Sequence, residues 1–378
     1  MQSRMLTDVR VLDFTRVLAG PLCTMILGDL GASVIKVERP GGGDETRGWG
    51  PPFDPRGESA YYLSVNRNKW SVAADLDDPG DQALLRELAA GAHVVVDNFR
   101  RGTLERRGLD PLALLEANPE LVWCTITGFG PDSDRPGYDF VVQAECGWMA
   151  ITGDPAGAPM KAGVALADVV AGKDAAVAIL AALLGVGRAT APLPAAARRL
   201  HVSLAASATA ALVNVAQNAL VTGREARRWG NAHANLVPYQ LFDAADRPIV
   251  VAVGSDAQWL ACARALGLDD LAADPALATN AGRLARRELV VGAITARLRE
   301  RDAGHWLARL RDAGVPAGQV KSVLEVLRDA DASALTGVAP SVPGSAVRLP
   351  PPRLDEHGAA VRARGWRALG EPADGRSA

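Results

Sequence analysis

Apolar runs of strand length alternate with apolar residues at helical spacing through the first third of the chain. Residues 9–14 read as a buried strand, 22–30 as a helix opened by Gly20-Pro21 and closed by Gly31, and 33–38 as a second strand. Strand, helix and strand within about thirty residues make a βαβ unit, and hence a parallel sheet. After a Gly/Pro-rich loop over 40–55, the pattern predicts short strands at 60–65 and 70–75 and a helix from Asp78-Pro79 through Leu88. A buried strand at 93–97, short helices at 104–107 and 111–117, and a strand at 121–127 follow. Such alternation describes a doubly wound α/β sheet, which binds ligands beyond the carboxyl ends of its strands.

The helical signal is most sustained after Gly163. Val169, Lys173, Val177, Leu180 and Leu184 recur every three or four residues, and Ile179 and Leu183 widen the apolar face, so a helix follows Asp168 directly. Asp168 then has two compatible readings. It is a helix N-cap accepting a backbone N–H, or a nucleophile in a dry pocket, held ionised by the positive end of the helix. Beyond it, 187–199 is a Pro/Ala/Arg-rich connector and 204–220 a long helix. Residues 237–242 and 248–253 form a β-hairpin, with helices at 256–266, 282–299 and 304–313 completing a smaller α/β domain. Residues 320–327 read as helical, and the Pro-rich end wraps the surface. The division is a large domain over 1–195, a linker helix over 196–224, a small α/β domain over 225–318 and a return to the large domain over 319–378.

The chain has 378 residues, 48% of them hydrophobic, enough for two domains with a sizeable core. A net charge of −2 with interspersed signs argues against nucleic-acid or polybasic membrane binding. Cys23, Cys124, Cys146 and Cys262 lack metal-ligand spacing and read as free thiols in a reducing cytoplasm, with no metal site. Residues 1–8 hold no apolar signal core, and the apolar run at 175–186 is short of a bilayer span, so a cytoplasmic protein without a membrane partner is expected. Gly41-Gly42-Gly43 does not have the spacing of a dinucleotide fingerprint.

Several segments resemble, in order along the chain, the family III (CaiB/BaiF) CoA-transferases. They are 12–21, 28–40, 43–47, Asn66-Arg67-Asn68-Lys69, Asp97-Asn98-Phe99-Arg100, Gly137-Tyr138-Asp139, 163–168, Val237-Pro238-Tyr239-Gln240 and 350–357. The resemblance implies a Rossmann-like large domain built from both chain ends, an inserted smaller α/β domain, and two subunits interlocked as a homodimer. It places the catalytic carboxylate on Asp168. That residue would attack an acyl-CoA thioester, pass through an aspartyl anhydride and an aspartyl-CoA thioester, and deliver CoA to a second carboxylic acid. The CoA thioester is then a substrate, and no permanently bound cofactor is implied. With a reference pKa of about 3.9, such a carboxylate would be ionised at neutral pH without a general base.

Carried over by motif, the CoA contacts are Val17, Ala19, Arg39, Lys69, Asn98, Phe99 and Arg106. Tyr138 stands where related racemases have His, which favours transfer over α-proton exchange because a phenol of pKa about 10 is a poor base at neutral pH. Asp139 is expected to support the loop geometry. Arg16 and Leu18 depart from the formyl-CoA transferases, and segments 15–21, 58–69 and 225–230 look more like the succinate–hydroxymethylglutarate (glutarate) enzymes. Arg16, or else Arg47, would then pair with the distal carboxylate of a dicarboxylate substrate. Trp49 would cover the thioester, and His233 would line the acyl end of the cleft. The alternatives are a 2-methylacyl-CoA racemase of the same fold and an inactive CoA-binding protein.

Overall fold

The computed structural model describes residues 5–370. Its contacts divide the chain into two compact units. Of the described residues, the first holds 5–148, Ala162–Val221 and 330–370; the second holds Met149–Lys161 and Thr222–Asp329.

In chain order the first unit begins with β1 (Arg10–Asp13), α1 (Ala19–Asp29), β2 (Ser33–Glu38), α2 (Ala60–Leu63), β3 (Lys69–Ala73), α3 (Pro79–Ala90), β4 (Val94–Asp97), α4 (Pro111–Ala117), β5 (Val122–Thr127) and α5 (Asp139–Glu145). After α6 (Trp148–Ile151) come α7 (Leu166–Arg188), α8 (Ala195–Arg198), β6 (Arg199–Ser203), α9 (Leu204–Ala210) and α10 (Val213–Thr222). The six strands pair in parallel throughout, in the order β3-β2-β1-β4-β5-β6. The strand order reverses between β1 and β4, so the crevice for a ligand opens at their carboxyl ends. Alternate strand residues face opposite layers. Val11, Val34, Val94, Val96 and Cys124 pack under α1, α7 and α9, while Leu12, Ile35, Val95 and Trp123 pack under α3, α4 and the C-terminal segment.

Several elements differ from the sequence pattern, among them the helix expected over 282–299, which divides into Asn280–Ala285 and Arg287–Leu298. Residues 60–65 alternate like a strand, but Ser59 caps a helical turn by accepting the Tyr62 N–H, and Tyr62 is buried. The connector before residue 204 ends in β6, a half-buried edge strand in which Leu200 and Val202 alternate with Arg199, His201 and Ser203. The helix expected over 204–220 breaks between α9 and α10, which bend by 69°; there Val213 takes φ 40°, off the helical region. The apolar run expected to fall short of a bilayer belongs to α7, whose 23 residues are long and apolar enough to cross one by length and composition. One side of α7 nevertheless packs in the core through Ala167, Ala171, Ala175 and Ile179.

The second unit carries β7 (Tyr239–Asp243), β8 (Pro248–Ala252), α11 (Asp256–Ala265), α12 (Asp269–Ala273), α13 (Asn280–Ala285), α14 (Arg287–Leu298), α15 (Ala303–Asp312), β9 (Ala317–Gln319) and α16 (Val323–Asp329). The β7–β8 hairpin gains β9 as a third antiparallel strand, and one face of the sheet packs on Trp259, Ile294 and Trp306. Back in the first unit, β10 (Ala332–Ser333), β11 (Gly337–Val338) and α17 (Gly358–Arg364) complete the chain. This return is tied to the sheet by polar contacts: Arg67 donates to the carbonyls of Thr336 and Val338, Asn68 accepts the N–H groups of Arg348 and Leu349, and His357 stacks on Trp70 at 4.4 Å.

The α1–α7 contact depends on the absence of a side chain. A Cβ on Gly172 would lie 2.5 Å from the Ala19 carbonyl oxygen, and neither backbone can yield without separating the helices. Gly187, on the same helix, has nothing within 4 Å of its would-be Cβ. Gly172→Ala is therefore expected to lower stability by about 1–3 kcal/mol, and Gly187→Ala to leave it unchanged or raise it by up to about 1 kcal/mol. Urea unfolding of both variants checks the order; an equal effect would mean that the helices do not rely on this close approach.

Candidate active site

Residues four apart share one face of a helix, so the stripe that carries Gly172 against Ala19 also carries Asp168. Both Asp168 and the turn Arg16–Ala19 line a single cleft of about 740 Å³ at the carboxyl ends of β1, β4 and β5. Asp168 is not the cap of its helix. It is the third residue of α7, whose N-cap position, Ala165, supplies no side-chain bond. The capping oxygen comes from Asp139, 29 residues earlier: its Oδ1 accepts the N–H of Ala167 at 2.8 Å and of Asp168 at 3.4 Å. Gln143, one turn along α5, donates to Asp139 Oδ2 at 2.7 Å and accepts the Ala162 N–H at 2.8 Å, so two side chains hold residues 162–168 in place. Tyr138 precedes them at the rim, 57% exposed. It is brought to the end of β5 because Gly128 and Gly137 meet backbone to backbone; a Cβ on Gly128 would lie 2.5 Å from the Gly137 Cα.

The facing wall is the turn after β1, which is clamped from both sides. Asn98, just beyond β4, accepts the Arg16 N–H at 3.1 Å and donates to the Arg16 carbonyl at 2.8 Å, bridging the β1–β4 crevice. Val17 takes φ 71°, a left-handed conformation costly for a β-branched residue, with its N–H donated to Asp44 at 3.3 Å. Asp44 is itself fixed by Lys36 at 3.0 Å, and Lys36 also donates to the Thr15 carbonyl. The buried charges behind the turn thus set the position of Val17, Leu18 and Ala19, all of which line the cleft.

Electrostatics at Asp168 run against the sequence expectation. Burial, and next the negative charge of Asp139, push its pKa up to about 7. The side chain is therefore divided between acid and carboxylate near neutral pH rather than fully ionised: desolvation outweighs the favourable end of the helix. The field of Asp168 reaches Tyr61, whose phenol is pushed up to about 12 by burial first and by Asp168 next. Trp49 stands edge-on to the Tyr61 ring at 5.1 Å.

Other expected site residues divide into those in the cleft and those outside it. Arg16 is in it, 43% exposed along its side chain, resting 5.2 Å from the Phe99 ring centroid and 3.4 Å from Glu45. Asn98 and Phe99 line the same wall, Asn98 spending its amide on the Arg16 backbone. Lys69 does not reach it. Its ammonium is fully buried and donates to Asp13 at 3.0 Å, the Pro21 carbonyl at 2.9 Å and Asn66 at 3.0 Å, which uses all three donors inside the protein. Burial also pulls its pKa down to about 8. Arg47 is likewise closed off: it is buried, its charge is met by Glu38 and Glu58, the Tyr62 ring lies 3.7 Å from its guanidinium carbon, and it does not line the cleft. Arg39 and Arg106 are exposed side chains that do not line the cleft. His233 lies in the second unit, where its Nδ1 accepts the Asn235 N–H at 3.0 Å and its ring faces Tyr239.

Sequence reasoning missed Gln143, Asp44 and the far wall of the cleft, where Arg101, Arg135, Arg199 and His201 stand. Polar residues alternating with Leu200 and Val202 were the signal for the last two. Among the described residues no three His, Cys, Asp or Glu side chains come together as a metal site.

A strained turn and a capped carboxylate facing each other across a parallel-sheet crevice define an α/β enzyme acting on a ligand at the strand ends. The chain belongs to CoA-transferase family III, whose pattern matches residues 6–364. It is 41% identical to a succinyl-CoA:glutarate CoA-transferase of Mus musculus, over 93% of this chain and 84% of the mouse protein. It is 39% identical to a succinate–glutarate CoA-transferase of Agrobacterium fabrum (strain C58), over 95% of each chain. The crystal structure of a CAIB/BAIF family protein from Brucella suis, 37% identical, superposes with a TM-score of 0.83 over 95% of this chain and 98% of that one.

The cap and the charge of Asp139 are separable. Asp139→Asn keeps an oxygen for the Ala167 N–H and removes the charge, so the Asp168 titration moves to lower pH. Asp139→Ala loses the cap as well, at a cost of about 1 kcal/mol. Carboxyl-carbon NMR of Asp168 reads the midpoint directly; a midpoint unmoved in Asp139→Asn would mean that burial alone sets it.

Proposed function

We propose that the protein transfers CoA between acyl-CoA thioesters and free dicarboxylic acids, of the succinyl-CoA and glutarate kind, through covalent intermediates on Asp168. The reading rests on the half-buried carboxylate of Asp168 facing the β1–β4 crevice, in a chain whose similar proteins include succinyl-CoA:glutarate CoA-transferases. Ionised Asp168 attacks the thioester carbonyl; the C–S bond breaks, leaving an aspartyl anhydride and CoA thiolate. The thiolate attacks the aspartyl carbonyl, forming an enzyme-CoA thioester and expelling the donor as a carboxylate. The acceptor carboxylate then displaces the thiolate from that thioester to make a second anhydride. Attack of the thiolate on the acceptor carbonyl completes the exchange and restores Asp168. Each step conserves an activated carboxyl, so atoms and charge balance without a further reactant. The Asp139–Gln143 clamp holds the nucleophile. Arg16 is the cation placed for the distal carboxylate, seated on Phe99 and only loosely paired with Glu45.

The exposed sides of α7 and α10 support the second copy. Val177 and Leu184 are 66% and 55% exposed, and Val213, Leu220 and Val221 69–77%. So much apolar surface on long helices is unusual for a free monomer, and we assign it to an interlocked homodimer.

Five measurements test this function. Incubated with succinyl-CoA and glutarate, the enzyme is expected to form glutaryl-CoA without net loss of thioester, and Asp168→Ala and Asp168→Asn to lose activity by about three orders of magnitude or more. Its kcat/KM is expected to rise with pH through about 7 as Asp168 ionises. The same shift makes ionisation costly to the fold: the native stability contributed by the protonated acid is fully present below the unfolded pKa of about 3.9, falls as pH rises toward the folded value of about 7 and is gone above it, so Asp168→Asn is more stable than wild type at pH 8 and not at pH 4. Wild-type turnover by Asp168→Ala would end the mechanism. Arg16→Ala is expected to raise KM for dicarboxylates about tenfold and hardly for monocarboxylates; equal effects would remove Arg16 from recognition. Light scattering is expected to give twice the chain mass, and a monomer would dismiss the assembly.

A further inference from the structure

The second unit holds a surface cavity of about 670 Å³ lined by Arg227, Trp229, Ala234 and the segment 284–289. Most arginines near it are used up. Arg228 donates to the carbonyls of Asp154 and Gly157. Arg283, buried, is bonded to Asp256 and to the Val237 and Leu277 carbonyls. Arg286 pairs with Asp274 at 3.2 Å. Arg227 and Arg287 are different. Both approach the same indole, Arg227 at 4.1 Å and Arg287 at 4.9 Å from the Trp229 ring centroid, and among the described residues neither is in an ion pair. Glu288, which also lines the cavity, pairs with neither of them. Arg287 donates through Nη2 to the carbonyls of His233 and Ala234; its other terminal nitrogen, Nη1, is shielded from solvent and has no hydrogen-bond partner among the described residues. Its pKa is lowered, by burial first and by the neighbouring Arg227 second.

Two guanidinium groups gathered at one ring without a counter-charge are held against their mutual repulsion, and a buried N–H without an acceptor costs free energy. Arg287 also opens α14, a helix of 12 residues whose N-cap, Arg286, makes no side-chain cap bond. The positive end of that helix therefore adds to the same field. We infer that this cavity is an anion site that takes a phosphate group, gripped by Arg227, Arg287 and the first turn of α14 over the Trp229 indole. A dianion suits it because the two cations Arg227 and Arg287 line it and neither is in an ion pair among the described residues. Through Arg287 its occupancy would also steady the turn at His233 and Ala234, whose carbonyls the same guanidinium holds.

The site is tested without CoA transfer. The intact protein is titrated with inorganic phosphate at constant ionic strength, using chloride as the balancing ion, and Trp fluorescence and thermal midpoint are followed. Adenosine 3′,5′-bisphosphate and malonate are separate arms, the first to tell a phosphate ester from free phosphate. Eight tryptophans contribute to the signal, so Trp229→Phe isolates the one at the site. Saturable binding of phosphate or of the bisphosphate is expected, weakened about tenfold in Arg227→Gln and largely restored in Arg227→Lys. Arg227 is exposed, so its variants are expected to fold; Arg287→Gln is a second variant whose melting curve is recorded first. No saturation by either phosphate, saturation by malonate alone, or affinity unchanged in both glutamine variants would overturn the site.

Discussion

The geometry of the site depends on one carboxylate that does not itself react: Asp139, accepting the N–H groups at the start of α7. The amides of a first helical turn have no partner within the helix, and α7 begins at a residue whose own side chain cannot supply one. By capping from a separate helix, Asp139 fixes where α7 begins relative to α5 and so where Asp168 points. The same charge, set beside a buried acid, raises the proton affinity of Asp168. One side chain therefore sets the position of the proposed nucleophile and adds to what burial does to its ionisation.

A second constraint works from the opposite wall. Asp13, Lys36, Asp44 and Lys69 are buried together behind the turn after β1, each with a charged neighbour and hydrogen bonds. Buried ion pairs are weak contributors to net stability, because desolvation offsets their attraction. Their effect here is positional: Asp44 and Asn98 hold Val17 and Arg16 in a conformation that an unsupported loop would leave. Lys69, expected to meet ligand directly, instead turns inward to Asp13, Asn66 and the Pro21 carbonyl, while Asn98 lines the cleft and spends its amide on the Arg16 backbone. Charged residues in a shared motif can mark a scaffold as readily as a contact surface.

An Asp of raised pKa suits a carboxyl that must both attack and leave. A fully solvated carboxylate is stable and a poor match for the anhydride and thioester states through which the proposed exchange passes. Burial destabilises the ion relative to those neutral acyl forms, so the environment that delays ionisation also lessens the drop in energy between ground state and intermediate.

Residue pattern alone determined much of the scaffold. The βαβ opening, the buried strands at 33–38 and 93–97, the helix over 111–117 and the helix after Asp168 were legible because hydrophobic period and capping residues are local signals. The shared motifs identified the family and put Asp168 forward. What they could not contain was distance. That Asp139 caps a helix begun 27 residues later, that Lys69 turns inward to Asp13 while Arg16 stays in the cleft, and that β6 hides in a Pro-rich connector are outcomes of packing between remote segments. The ionisation of Asp168 belongs to the same class. A reference pKa is a property of the side chain, whereas the shifted one is a property of what surrounds it, and only the folded chain brings those surroundings together.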